Sequence, residues 1–206
     1  MGSSVSGKMK AGKLVLALIA CTALASCAAL GPQEATSDTY QLSTPASLEA
    51  TAVRGGLQLL VPEPTALKAL DSENIVVRPD AITLQYLGES RWSDRLPRLV
   101  QQRLAEALES TGRFDGVGLP GQGLAIDYQL VTDIRAFGID VTYQQATVVI
   151  GVKLLNDRNG GVRASRTFRA VSPVGAPASG PQYVAALDRA FGLVTQDIVL
   201  WITNRL

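Results

Sequence analysis

Apolar and polar side chains alternate with a period of two through the middle of the chain. On either side of that region they recur every three to four residues. From Ala125 to Phe137, the residues Ile126, Tyr128, Leu130 and Ile134 point one way, and Asp127, Gln129, Asp133 and Arg135 the other. From Gln144 to Leu155, the residues Ala146, Val148, Ile150, Val152 and Leu154 share a face. Period two is the signature of strands covered on one side. Gly138-Ile139-Asp140 reads as the hairpin link between these two strands. The run NDRNGG at 156–161 reads as a turn into a third strand, Val162–Val171.

Two stretches carry the helical period. Leu96, Leu99, Val100, Leu104, Ala107 and Leu108 form one stripe. Ser93 reads as its N-cap, Pro97 falls in its first turn and Gly112 is its stop. Gln182–Ile202 forms the second stripe, through Val184, Leu187, Phe191, Val194, Ile198 and Trp201, and starts after Pro181. The earlier part of the chain predicts short strands at 40–42, 57–61, 75–78 and 81–87. Pro79-Asp80 makes a turn before the last of these, whose Ile82, Leu84 and Tyr86 share a face. Residues 65–71 predict a helical turn, and the glycine-rich 114–123 a loop. Strands, a helix, a meander and a final helix predict an α+β fold: a mostly antiparallel sheet with two amphipathic helices packed on one face.

The amino terminus follows neither period. Lys8, Lys10 and Lys13 precede an apolar stretch from Leu14 to Leu24, eleven residues long. That is the layout of an export signal and about half the length of a membrane span. Leu24-Ala25-Ser26-Cys27 resembles the bacterial lipobox, which implies cleavage before Cys27 and a lipid on its sulfur. Leu18-Ile19-Ala20-Cys21 fits the same pattern but leaves a shorter apolar core. In a plain secretory signal both cysteines would be ordinary small residues. The reading adopted is residues 1–26 as lipoprotein signal peptide, 27–39 as lipidated tether and 40–206 as the folded domain. Ala28 stands where an Asp would favour retention in the inner membrane, which points to the outer membrane.

Composition narrows the chemistry. The 206 residues include no histidine and two cysteines, Cys21 and Cys27. A histidine-based nucleophile, general base or zinc site is therefore excluded. Without the three lysines of residues 1–26, 16 basic side chains face 18 acidic ones, net −2. This is far from the basic stripe of a nucleic-acid binder. The run Gly116–Gly121 matches G-x-G-x-x-G, but with a helix before it and a strand after, the reverse of the dinucleotide arrangement. Asp127, Asp133, Asp140 and Glu89 are isolated carboxylates, and Asp127 and Asp133 lie about 20 Å apart by strand rise. Arg163, Arg166 and Arg169 offer an anion-binding strand, with Arg163 and Arg169 on one face and Arg166 on the other. Trp92 and Trp201 read as core residues, Trp92 packing back on the first helix and Trp201 on the stripe of the last. No catalytic, metal-binding or cofactor-binding residue is assigned, and lipid attachment at Cys27 is the one site.

Further residues carry a family resemblance: LASC at 24–27, YQL at 40–42, the block from Ile75 to Leu108 with Tyr86, Trp92, Leu96 and Pro97, RFDGV at 113–117, DYQLVTDIRAF at 127–137, and DIVLWI near the end. Together they resemble the ABC-type transport auxiliary lipoproteins. The resemblance implies a membrane-anchored periplasmic accessory of an MCE-type (mammalian-cell-entry) ABC lipid transport system, docking the MCE-domain substrate-binding protein that serves the permease and ATPase. It implies no enzyme activity and no cofactor. It leaves open phospholipid contact and a ring of copies. A direct lipid carrier, with its pocket between sheet and helices, and a general envelope scaffold are the alternatives.

Overall fold

Residue Tyr128 begins a strand that organises the rest of the molecule. In the computed structural model, residues 37–44, 56–175 and 177–206 are described. The signal segment, Cys21, Cys27 and most of the tether lie outside these residues. In chain order the elements are β1 (Asp38–Tyr40), β2 (Gln58–Leu60), β3 (Thr65–Ala66), β4 (Asn74–Arg78), β5 (Gln85–Trp92), α1 (Leu96–Ser110), β6 (Gly116–Gly118), β7 (Tyr128–Asp140), β8 (Gln145–Asn156), β9 (Val162–Pro173) and α2 (Gly180–Thr203).

The strands form one mixed sheet with β7 as its spine. Along one edge of β7 lie β2, β3 and β4 in succession, all parallel to it. Leu59 stands opposite Tyr128, Thr65 opposite Asp133 and Val76 opposite Gly138. Along the other edge β8 runs antiparallel for the whole length, and β9 follows antiparallel to β8. Beyond β2 lies β6 in parallel; beyond β4 lies β5, antiparallel, then β1, parallel to β5. The α+β architecture with two helices is as expected. The long ladders are antiparallel, but several short ones are parallel, so the sheet is mixed. A meander accounts only for β7 to β9, whose turns are short enough to fold each strand back on the last. The strands before it reach β7 from separate directions.

Local differences have local causes. Residues 138–140 are not a link but the end of β7, because Val76–Arg78 pair with Gly138–Asp140. The turn comes after them, with the Gln144 N–H donating to the Val141 carbonyl. Residues 81–84 are not ladder: the Asp80 carboxylate accepts from the N–H groups of Ile82 and Thr83, at 2.9 and 2.7 Å, and β5 starts only at Gln85. Thr65 and Ala66 bridge to β7 before a turn closed by the Leu70 N–H on the Leu67 carbonyl. The glycine-rich loop contains β6, and the N-cap position of α1 is Arg95 rather than Ser93, without a side-chain capping bond.

The inward faces fit the alternation. Ala146, Val148, Ile150, Val152 and Leu154 of β8 are buried, as are Leu130 and Ile134 of β7. A bulge between Ile134 and Ala136 shifts the phase, so that Phe137 and Ile139 also face the core. Helix α2 covers β8 and β9 and touches α1, which packs on β6. Trp92, Phe137 and Phe191 join β5, β7 and α2 in one aromatic chain, with successive ring centroids 5.9 Å apart. No helix of the described residues is long and apolar enough to cross a membrane.

Candidate functional site

The side of the sheet away from the helices holds a trough of about 660 Å³. Its floor is the outward face of β4, β7 and β8, where Val76, Ala136, Gly138, Thr147 and Val149 are small or β-branched. Gly138 is needed for this packing: a Cβ there would lie 2.8 Å from the Val76 carbonyl oxygen of the adjoining strand. Two segments wall the floor. One is the turn after β3, with Leu67 and Leu70. The other is the Asp80-capped turn before β5, with Ile82 and Leu84. Tyr143, in the β7–β8 turn, stands at an end.

The rim is apolar and wet. Ile82 is 95% exposed, Leu67 75% and Tyr143 73%. Single exposed apolar residues are ordinary, but a cluster around a concavity marks a binding surface. The volume is within the range of small-molecule sites. The charged members are Arg78, Arg135, Arg169 and Asp140. Arg135 donates from Nε to Asp133 Oδ2 at 2.5 Å and from Nη1 to Thr167 Oγ1 at 2.8 Å. The Asp133 contact raises its pKa above the ordinary arginine value. Gly151 leaves room for this group, since a Cβ there would collide with Asp133 Oδ1. Arg78 reaches only the Ala81 carbonyl, and Arg169 forms no ion pair among the described residues.

The residues singled out from sequence are dispersed. Asp127 accepts from the Gln58 N–H and from Arg158. Asp133 is held by Arg135, and Asp140 accepts from the Tyr143 N–H. Glu89 sits at φ +52° where β5 slips against β4. Among the described residues, no three metal-ligating side chains gather. The stretch Gly116–Gly121 is β6 and a turn leading toward β7, with no helix N-terminus to meet a phosphate.

Arg163 does not share a face with Arg169. A slip in the β8–β9 register makes Arg163 the extra residue between Val162 and Ala164. Its guanidinium stacks over Tyr128 and donates to the Arg205 carbonyl at the end of α2. Arg166 stacks over Phe168 on the same side. Only Arg169 of the three reaches the trough. Trp92 and Trp201 are both core residues, Trp92 against Phe137 and Trp201 against Phe168. The trough itself escaped the sequence reading. Its one signal was apolar alternation at Ile82 and Leu84 beside a turn, read there as a strand.

The model of the ABC-type transport auxiliary lipoprotein component family matches residues 40–199. An uncharacterized protein of Bradyrhizobium diazoefficiens is 33% identical over 172 residues, covering 79% of this chain and 44% of its own length. The chain thus spans less than half of that relative. A crystal structure of a Xanthomonas campestris protein superposes with a TM-score of 0.74 at 28% identity, covering 82% of this chain and 97% of that one. A hypothetical protein of Chlamydia trachomatis shares the fold at a TM-score of 0.51 and 9% identity, over 73% of this chain and 98% of its own.

Proposed function

We propose that this chain, which belongs to the ABC-type transport auxiliary lipoprotein component family, is the membrane-anchored accessory of an MCE-type lipid transport system. It docks the periplasmic substrate-binding assembly at the outer membrane. The observation that supports this reading most is the extent of the family match, which takes in nearly all of the folded unit Ser37–Leu206.

The mechanism is positional. The thioether lipid on Cys27 and the acyl chain on the new amino terminus each add about 0.8 kcal/mol per buried CH2, and together they hold the chain at the bilayer. Cys27 and the start of β1 at Asp38 are 11 residues apart. Even fully extended, that length reaches at most about 40 Å. The domain therefore stays beside its membrane, and the partner must cross the gap to it. The energy comes from the ATPase of the system. This chain contributes binding rather than catalysis, in keeping with dispersed candidate carboxylates, of which Asp127, Asp133 and Asp140 are each held by a neighbour.

Metabolic labelling with an alkyne fatty acid tests the anchor. The parent chain and Cys21→Ser are expected to take up label, and Cys27→Ser to lose it. Equal labelling of Cys27→Ser and the parent overturns the assignment. Affinity purification of the parent lipoprotein from crosslinked cells tests the docking. An MCE-domain protein is expected among the partners, and its absence from repeated purifications overturns the role.

A further inference from the structure

The outward face of the sheet carries charge at two corners and is apolar or neutral between them. Register defines the grid. One row runs Arg78, Asp140, Gln145 and Pro173; the next Val76, Gly138, Thr147 and Val171; the next Ala136, Val149 and Arg169. With neighbouring strands about 4.8 Å apart and about 3.3 Å per residue, Arg78 and Arg169 stand at opposite corners, with Cα atoms about 20 Å from each other. At the Arg78 corner, Asp140 lies directly opposite in register, so one positive and one negative charge stand there, although no ion pair joins them among the described residues. At the Arg169 corner lies Arg135, already bound to Asp133. That corner holds two guanidiniums against one carboxylate, and Arg169 forms no ion pair among the described residues. The exposed Leu67, Ile82 and Leu84 overhang the floor from the turns next to β3 and β4, at the other side of the grid.

We infer that this trough holds one phospholipid molecule, with its phosphate at Arg169 and acyl chain under Leu67 and Ile82. A guanidinium with no carboxylate partner is the group that pairs a phosphate through parallel N–H donors. The rim apolar surface, each Å² of which costs roughly 25 cal/mol in water, is what a hydrocarbon chain would cover. An apolar peptide carrying a carboxylate is the competing occupant, and it would leave a protein adduct rather than a phosphate-bearing one. The site lies on the face opposite the helices, not between sheet and helices. It does not depend on the docking proposed above: this trough can be filled whichever partner the lipoprotein meets.

A photocrosslinking amino acid placed at Ile82 in the full-length, membrane-bound lipoprotein tests this. Cells are grown in radioactive phosphate, irradiated, and the purified chain is read for label. Ile82 is almost fully exposed, so the replacement leaves the core untouched. The same probe at Leu200, an exposed leucine of α2, reports nearness to membrane alone. Label at position 82, several-fold above that at 200 and reduced several-fold by Arg169→Glu, is the expected result. Equal label at both positions, an adduct of protein rather than phosphate-bearing mass at 82, no adduct, or indifference to Arg169→Glu each overturns it. Failure of the docking reading would leave this label intact, so the two are separable.

Discussion

Trp92 stands edge-on to Phe137, the two rings 5.9 Å apart and inclined at 87°. Trp92 ends β5 just before α1, and Phe137 lies two residues past the bulge of β7. The contact therefore ties the short-strand arm of the sheet to its spine, and Phe191 continues it into α2. Edge-to-face pairs add about 0.5–1.5 kcal/mol to the burial itself.

Trp92→Ala is expected to destabilise the fold by about 3–5 kcal/mol, the cost of deleting a fully buried large aromatic. Urea denaturation followed by far-ultraviolet circular dichroism measures it. A loss below 1 kcal/mol would mean that the arm is held elsewhere.

Gly138 and Gly151 both sit where a Cβ would collide, but with different neighbours. At Gly138 the obstacle is the backbone oxygen of Val76, while at Gly151 it is the ends of the Asp133 and Arg135 side chains. Side chains swing aside and a paired strand does not. Gly138→Ala should therefore cost about 1–3 kcal/mol and Gly151→Ala less, as thermal melts of the two variants would compare.

Thr195, fully buried in α2, has no hydrogen-bond partner for its hydroxyl among the described residues. Thr195→Val keeps the shape and removes the unpaired group. It should raise stability by about 1 kcal/mol, read as a higher denaturation midpoint at unchanged slope.

The turn over the trough responds to acid. The N–H of Ile82, then the hydroxyl and N–H of Thr83, hold the Asp80 carboxyl below its ordinary value of 3.8. A depressed carboxylate stabilises the turn fully above the unfolded value and loses that effect as pH falls through the lowered folded one. The Asp80 carboxyl carbon should accordingly titrate with a midpoint under 3.8, with Ile82 and Thr83 amide shifts following it. A midpoint at or above that value would remove the cap.

Much of the fold can be read from short-range pattern. The faces of β8 and the stripes of α1 and α2 follow from periodicity, because a residue's side of a strand or helix depends only on its near neighbours. The absence of histidine is likewise a property of the chain alone. Tertiary structure decided the rest. Whether β2, β3 and β4 pair with β7, and that they do so in parallel, depends on which edge of β7 lies open to them. No local period encodes that choice. The bulge at Arg135 turned Phe137 and Ile139, rather than Ala136 and Gly138, to the core, and the slip at Arg163 turned that guanidinium from Arg169's side to the helix side. One extra residue reverses every later side chain, and period two cannot foresee it. The trough is the outcome of such choices: Leu67, Ile82 and Arg169 are far apart along the chain and meet only because strands from separate segments share one sheet.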